Sequence, residues 1–283
     1  MKKYIILVVI TILLIISGCN SKPKNTNETK IVTTIYPIKL ITNQIYPSVT
    51  CHSLIDGAVS PHHFSPKPSD IIKINNSDMI IKIGGSFDMW VDEIISKNNI
   101  DIEMIDLINK LDFKKDSNPH IWLSFRNTKL IADTLYKTIN KKYPSTGDKN
   151  KENINKFKKK ISTIQNKWLK KFNNLKNNKI MLYHPAWEIL LKELNVNITG
   201  IIKKNPQKKL TLKEMKKIIK KIKSSNTKLI IGEIQHQDQI LKTIQKETNV
   251  KVVYLNAIGS QKFTTYENFL KYNLNEIYYE LKK

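Results

Sequence analysis

One long amphipathic segment divides the chain into two halves and so limits the folds open to it. From residue 148 to 177, apolar side chains recur in steps of three and four, and no proline or glycine interrupts the series after Gly147. Residues at this spacing lie on one face of a helix. The apolar positions are Ile154, Phe157, Ile161, Ile164, Trp168, Phe172 and Leu175. We therefore expect one rigid helix to join two lobes and to limit how far they open.

Short β-rich runs alternate with helix-like segments on both sides of the long segment. The predicted strands of the first half are Ile31–Tyr36, Val49–Ile55, Met79–Ile83 and Ile102–Ile105. Those of the second half are Lys179–Tyr183, Val196–Ile202, Leu229–Ile231 and Val250–Leu255. Such alternation is typical of βαβ units. The sequence therefore predicts an α/β fold with two lobes, each a mostly parallel sheet flanked by helices, joined by the long helix.

The N-terminus has the features of a secretory signal. Two lysines precede a short apolar run from Tyr4 to Ile16, and small residues then lead to Cys19. The run is shorter than the roughly 20 residues that a membrane-spanning helix needs. The order of apolar residue, small residue, Gly and Cys resembles a bacterial lipobox. This implies cleavage before Cys19 and a lipid on its sulfur.

Five segments are expected on these grounds. They are a signal peptide (1–18), a lipid-anchored tether (19–30), an N-terminal lobe (31–147), a linking helix (148–177) and a C-terminal lobe (178–283). The tether is polar and lacks apolar periodicity, as flexible linkers do. With Cys19 lipidated, Cys51 is the only other cysteine, which excludes an intrachain disulfide and a four-cysteine zinc site. We expect a monomer anchored on the extracytoplasmic side of the cell membrane.

The net charge of +24 raises the question of nucleic-acid binding. Arg126 is the only arginine, whereas proteins that read phosphates and bases rely on the bidentate guanidinium group. Many lysines fall on predicted helix faces, such as Lys216, Lys217, Lys220, Lys221 and Lys223. A secretion signal also separates the chain from the nucleoid. We expect no nucleic-acid partner, and contact with anionic lipid headgroups is a simpler consequence of the charge.

Three of the six histidines directly follow predicted strands, namely His62, His184 and His236. Ligands of open α/β sheets bind at the carboxyl ends of strands, and imidazole is the commonest zinc ligand. Neighbouring prolines at His62 and His184 restrict the backbone and help to fix the ring direction. Histidines from both lobes would place a metal in the cleft. Taken singly, each histidine is more simply a core or surface residue.

Three ordered segments carry a specific resemblance. They are PHHFSPKPSD at 61–70, NPHIWL at 118–123 and HPAW at 184–187. These segments are similar to the ligand motifs Pro-His-x-aromatic-x-Pro-x-Pro-Ser-Asp, Asp-Pro-His-x-Trp-Leu and His-Pro-Ala-aromatic of the zinc- and manganese-binding solute receptors of ABC uptake systems. The resemblance runs from about Ile31 to the C-terminus. It implies His62, His120 and His184 as metal ligands, and the motif register selects His62 over His63.

The chain departs from the family pattern in two ways. Asn256 stands where the family often has an Asp that can supply a fourth ligand, and a neutral amide is a poorer ligand for a dication than a carboxylate. The fourth position is therefore open to water, Glu233 or His236. The long His-rich loop of many zinc members is also missing, because the stretch from residue 107 to 119 is short and contains no histidine.

The resemblance implies a receptor that binds a transition metal between its lobes and delivers it to an ABC transporter permease. Three imidazoles favour Zn²⁺, since Mn²⁺ sites lean towards carboxylates and manganese members carry Glu where His184 stands. Ni²⁺, Co²⁺ and Cu²⁺ remain open. The alternatives are a zinc-dependent hydrolase with Glu233 as its base and a metal-binding surface adhesin. We expect no enzyme, because the chain lacks Gly-x-Ser-x-Gly and phosphate-binding Gly-rich motifs.

Two further features point to packing and solvation. The tryptophans are predicted to pack in the core or the cleft. They are Trp90, Trp122, Trp168 and Trp187. Asp88 and Asp92 have helical spacing and predict a solvated helix face.

Overall fold

The structure, a computed structural model, describes residues 29–57, 59–61, 64–114, 117–144, 147–175, 178–204, 209–235 and 239–283. The predicted signal peptide, the predicted lipidation site Cys19 and most of the tether lie outside these ranges, as do His62, His63 and His236. Within the ranges described, we find no helix that is both long enough and apolar enough to cross a membrane.

Four parallel strands form the sheet of the N-terminal lobe. They are β1 (Lys30–Ile35), β2 (Thr50–Ile55), β3 (Met79–Lys82) and β4 (Glu103–Asp106), in the order β2-β1-β3-β4. The helices of this lobe are α1 (Tyr36–Ile45), α2 (Pro68–Asn75), α3 (Trp90–Lys97) and α4 (Leu107–Lys110). The central strands β1 and β3 are buried almost throughout. This burial on both faces explains why apolar and polar residues do not alternate along them, and β1 also buries Thr33 and Thr34.

A second sheet of four parallel strands forms the C-terminal lobe. Its strands are β5 (Lys179–Leu182), β6 (Asn197–Ile201), β7 (Leu229–Glu233) and β8 (Lys251–Leu255), in the order β6-β5-β7-β8. Its helices are α7 (Glu188–Glu193), α8 (Leu212–Ser225), α9 (Gln239–Thr248) and α10 (Tyr266–Lys282). The predicted two-lobe α/β fold is confirmed. The two sheets also share one strand order, although no repeat is visible in the sequence.

The lobes are joined through α5 (Phe125–Lys142) and the predicted long helix, α6 (Gly147–Asn173). Six of the apolar residues on the predicted face of α6 are at most 5% exposed. They are Ile154, Phe157, Ile161, Ile164, Trp168 and Phe172. These side chains belong to one apolar cluster that also contains Ile31 of β1 and Leu229 of β7. The two lobes therefore share a hydrophobic core across the long helix.

The C-terminal helix α10 strengthens this connection by reaching back to the N-terminal lobe. The backbone N–H of Tyr266 donates to Gln44 Oε1 at 2.8 Å, and Gln44 Nε2 donates to Glu267 Oε2 at 2.6 Å. The Tyr266 hydroxyl lies 2.8 Å from the Thr128 hydroxyl and also donates to the Trp122 carbonyl. A wide separation of the lobes would break these buried bonds as well as the shared core.

The predicted solvated face at Asp88 and Asp92 is wrong for Asp88. This residue is fully buried and precedes α3. Its carboxylate accepts hydrogen bonds from the N–H groups of Ile83 (2.7 Å) and Gly84 (2.8 Å) and from the Thr34 hydroxyl (2.8 Å). Burial raises the pKa of Asp88 to about 6. Asp88 therefore shapes the turn after β3, whereas Asp92 lies on α3 and is exposed as predicted.

The shared core predicts that both lobes unfold in one transition. Phe157→Ala leaves a cavity beneath α6 and should lower the free energy of unfolding by about 3–5 kcal/mol. Lys159→Ala, at an exposed position of the same helix, should change it by less than about 0.5 kcal/mol. Urea titrations followed by far-UV circular dichroism and by tryptophan fluorescence would measure both variants. Two separate transitions in the wild-type protein would contradict a shared core.

Candidate metal centre

Two of the three predicted ligand histidines, His120 and His184, lie side by side. Their ring centroids are 4.9 Å apart and their planes are nearly perpendicular, at 79°. Their exposed fractions are only 3% and 4%. Two imidazoles that each bind one ion through a bond of roughly 2 Å can adopt this separation. The fold thus brings one histidine of each lobe into a single buried crevice.

His184 is held at the carboxyl end of the central strand β5. The preceding residue, Tyr183, continues the sheet by donating its N–H to the Ile231 carbonyl at 2.8 Å. His184 itself is extended, with φ −133° and ψ 150°, and Pro185 then starts a short 3₁₀ turn that ends at Trp187. Because the proline ring fixes the backbone at the start of this turn, the chain leaves the sheet directly after the histidine.

His120 lies ahead of a short 3₁₀ turn, Ile121–Leu123. Its backbone N–H donates to Asn118 Oδ1 at 3.1 Å, and its ring nitrogen Nδ1 lies 2.8 Å from the same oxygen. The rings of Phe87 and Trp122 pack around the imidazole, with centroids 5.9 Å and 5.2 Å away. The side chain is therefore fixed on one edge by a polar contact and elsewhere by aromatic rings.

The described residues that flank the remaining predicted ligand, His62, make local hydrogen bonds. The preceding Pro61 is buried, and its carbonyl accepts a hydrogen bond from the Phe64 N–H at 3.4 Å. Downstream, the Asp70 carboxylate accepts from the Lys67 N–H at 3.0 Å and caps the start of α2. The Pro-x-Pro-Ser-Asp part of the first motif therefore begins a helix, while His62 and His63 themselves lie outside the described residues.

Glu233 ends β7 at the same edge of the C-terminal sheet and is 5% exposed. Burial raises the pKa of its carboxyl group to about 8, so that the neutral acid predominates at pH 7. Among the described residues, no three His, Cys, Asp or Glu side chains are grouped closely enough to hold a metal ion. In the described part of the molecule, Glu233 therefore does not complete a three-residue set with His120 and His184.

Asn256, the fourth-ligand candidate after β8, uses its amide oxygen within the fold. The Oδ1 atom accepts from the N–H groups of Ile258 (3.2 Å) and Gly259 (2.8 Å) and lies 3.4 Å from Gln235 Nε2. Its own N–H donates to Asn273 Oδ1 at 2.9 Å. These bonds shape the turn after β8. The last candidate, His236, lies outside the described residues.

Several cleft contacts are not apparent from sequence patterns, because they join distant segments. The Trp122 indole N–H donates to the Ala257 carbonyl at 2.8 Å. Asn118 Nδ2 donates to the Pro185 carbonyl at 2.8 Å. The only local signal for Asn118 was its place in the second motif. All four tryptophans pack as predicted, three of them in the core and Trp90 partly buried.

The burial of Glu233 predicts a pH dependence of stability in the metal-free protein. The unfolded chain ionises this carboxyl near its ordinary pKa of 4.5, and the folded chain only near 8. The stabilisation from the neutral acid is complete below pH 4.5 and is lost as the pH rises through about 8. Thermal unfolding with a chelator from pH 5 to 8.5 should show a falling midpoint. Glu233→Gln should flatten this fall, whereas Glu247→Gln, at an exposed position, should not. Parallel curves for wild type and Glu233→Gln would contradict the assignment.

The chain matches one family model and several known proteins over most of its length. The family described as ZnuA, zinc-uptake complex component A periplasmic, matches residues 31–279. The metal ABC transporter substrate-binding lipoprotein of Lactococcus lactis subsp. lactis (strain IL1403) is 24% identical over 297 residues, covering 94% of this chain and 93% of the relative. The manganese ABC transporter substrate-binding lipoprotein PsaA of Streptococcus mitis is 25% identical over 290 residues, covering 93% and 94%.

A solved structure shows the same fold. The solute-binding protein FpvC of Pseudomonas aeruginosa in complex with Mn²⁺ superposes with a TM-score of 0.79 at 22% identity, covering 90% of this chain and 99% of FpvC. The resemblance expected from the three motifs is thus confirmed. Because the family match extends over both lobes and the long helix, this chain belongs to the family of zinc-uptake complex component A, the periplasmic metal-binding component.

Proposed function

We propose that the protein is an extracytoplasmic receptor that captures a transition metal ion between its lobes and delivers it to an ABC transporter permease. The observation that carries this proposal is the pair of buried imidazoles, His120 and His184, contributed by different lobes with ring centroids 4.9 Å apart. In a chain of this family, such a pair is suited to hold a cation that is cargo. The members of the family are transport receptors and not enzymes.

The proposed ligand set is His62, His120 and His184. Support for His62 comes from its motif and from the fixed positions of Pro61 and Phe64 on either side of its segment. Asn256 is not included in the set, because its oxygen already accepts two backbone hydrogen bonds. The fourth position is left to water or His236, because Glu233 does not group with His120 and His184 in the described part of the molecule.

The proposed cargo is Zn²⁺, with Mn²⁺ less favoured. Relatives carry both metals in their names, so the preference rests on the donors. Three neutral imidazoles suit Zn²⁺, whereas Mn²⁺ prefers carboxylate and other oxygen ligands. The carboxyl of Glu233 at the end of β7 is buried, and its pKa of about 8 keeps it neutral in the metal-free protein at pH 7.

The way in which the chain would carry out capture and delivery follows from its own contacts. The shared core under α6 limits lobe motion, so the cation enters a crevice in which two ligands are already close together. Release would need only a small displacement of one ligand-bearing loop. We assign this displacement to contact between the cleft rim and the permease.

We further propose that the receptor is a monomer and a lipoprotein. Cleavage after residue 18 would leave Cys19 as the lipidated N-terminus, and the polar residues up to 30 would form the tether. Relatives named as lipoproteins support this assignment. The extracytoplasmic location follows from the same processing.

The ligand set predicts loss of metal binding on removal of either described histidine. Metal-free protein covering residues 29–283 should bind one Zn²⁺ per chain. His120→Ala and His184→Ala should each weaken this binding by on the order of 100-fold or more, since even the loss of an outer hydrogen bond to a ligand costs roughly 10–100-fold. Chelator competition and elemental analysis would measure affinity and stoichiometry. His52→Ala provides the control, because His52 is an exposed residue of β2; an equal loss in that variant would contradict the site.

The metal preference has its own test. In competition titrations, Zn²⁺ should displace Mn²⁺ completely from the wild-type protein, as both the donor set and the Irving–Williams order require. Binding of Mn²⁺ with affinity equal to or above that of Zn²⁺ would refute the zinc assignment while leaving the receptor role intact.

The lipid anchor can be tested separately from metal binding. Full-length Cys19→Ser should leave its signal segment uncleaved and carry no lipid, while Cys51→Ala should be processed like the wild type, because Cys51 is a buried free thiol of β2. Metabolic labelling with a fatty-acid analogue and mass spectrometry of the N-terminus would distinguish them. Labelling of Cys19→Ser at wild-type level would rule out this anchor.

A further inference from the structure

We infer that Asn118 is a positioning residue that fixes the tautomer of His120 and ties it to the turn carrying His184. This inference rests on the proposed function, since it concerns two of the proposed ligands. It extends that function by naming the side chain that orients the imidazole of His120.

The orientation of the Asn118 amide follows from its partners. One end of the amide lies 2.8 Å from the carbonyl oxygen of Pro185. A carbonyl oxygen can only accept, so the NH₂ group must face Pro185 and the oxygen Oδ1 must face the other way. Oδ1 then accepts from the backbone N–H of His120 at 3.1 Å. The positions of the amide nitrogen and oxygen are thus assigned by two partners, a carbonyl that can only accept a hydrogen bond and a backbone N–H that can only donate one.

The same oxygen determines which nitrogen of His120 is protonated. Nδ1 of the imidazole lies 2.8 Å from Asn118 Oδ1, and an amide oxygen cannot donate a hydrogen bond. Nδ1 must therefore carry the proton, and in the neutral ring Nε2 carries the lone pair that can bind a cation. Metal-bound histidines in general donate their other N–H to a hydrogen-bond partner, which fixes ring orientation and tautomer. Asn118 prepares His120 in this way before any metal arrives.

The second bond of Asn118 couples the two ligand loops. Asn118 is two residues before His120 in the N-terminal lobe, and Pro185 directly follows His184 in the C-terminal lobe. The amide therefore joins the backbone next to one proposed ligand to the backbone next to the other. This link holds the imidazole rings of His120 and His184 at their spacing, in which the ring centroids are only 4.9 Å apart.

The bridging role depends on an amide. The family motif that this segment resembles has Asp at this position. A carboxylate can accept a hydrogen bond from His120 but cannot donate one to the Pro185 carbonyl. Two acceptor oxygens facing each other would repel. Asn118→Asp should therefore keep the His120 tautomer and break the link between the lobes. Asn118→Leu should remove both the preference for this tautomer and the link between the lobes. These two substitutions separate the roles.

The test measures the tautomer in metal-free protein, so it does not depend on zinc binding. Two-bond ¹H–¹⁵N spectra of ¹⁵N-histidine-labelled protein at pH 8, above the ordinary imidazole pKa of about 6.5, distinguish a protonated Nδ1 from a protonated Nε2. We expect the Nδ1–H form for His120 in the wild type and in Asn118→Asp. Asn118→Leu should shift His120 towards the Nε2–H form. Asn174→Leu, at an exposed position beyond α6, should leave the spectrum unchanged.

Two further measurements complete the test. Asn118→Leu should weaken zinc binding by roughly 10–100-fold, as other losses of a hydrogen bond behind a ligand do. Asn118→Asp should lower the thermal midpoint relative to Asn174→Leu, because its bond to Pro185 is lost. An Nε2–H tautomer for His120 in the wild type, or a wild-type tautomer and zinc affinity in Asn118→Leu, would overturn the inference. Failure of the wild type to bind zinc while the tautomer is as expected would instead count against the proposed function alone.

Discussion

The apolar core shared by the two lobes across α6 is the constraint on which the rest of the structure depends. Each large apolar side chain buried on that helix stabilises the fold by roughly 1.5–3 kcal/mol, and the same cluster includes residues of both sheets. Opening the lobes widely would expose this surface. The carboxyl edges of the two sheets are therefore held facing each other. This core favours the closed arrangement in which the ring centroids of His120 and His184 lie 4.9 Å apart.

Hydrogen bonds across the crevice fix the relative positions of the loops on its two sides, which apolar packing alone does not specify. The Gly57 N–H donates to the Gly259 carbonyl at 3.1 Å, and Gln235 Nε2 donates to the Gly57 carbonyl at 3.1 Å. Gly57 has a φ of +85°, a conformation that glycine adopts without strain. The Trp122 indole N–H, which donates to the Ala257 carbonyl, would otherwise be buried without a partner. These hydrogen bonds fix the relative positions of the ligand-bearing loops more closely than an apolar interface alone would.

The sequence was informative where local patterns decide the structure and silent where distant partners do. The strands lie within one or two residues of their predicted bounds because short runs rich in apolar and β-branched residues mark them, and α6 follows from its apolar spacing. Asp88 was misread because its spacing from Asp92 fits a helix, whereas its partners come from the turn after β3 and from Thr34. The bond from Asn118 to Pro185 has no local pattern at all, since the two residues belong to different lobes.

Two amides in the crevice, Asn118 and Asn256, stand where the motifs of the resembling family imply an Asp, and both are engaged in hydrogen bonds within the fold. Asn256 uses its oxygen to shape the turn after β8, and Asn118 bridges His120 and Pro185. Neither contributes negative charge, and the buried carboxyl of Glu233 is neutral at pH 7 because its pKa is about 8. A crevice of neutral imidazoles and amides compensates a hard cation such as Mn²⁺ poorly, whereas Zn²⁺ bonds well to nitrogen donors. These neutral donors are the physical basis for proposing zinc as the cargo.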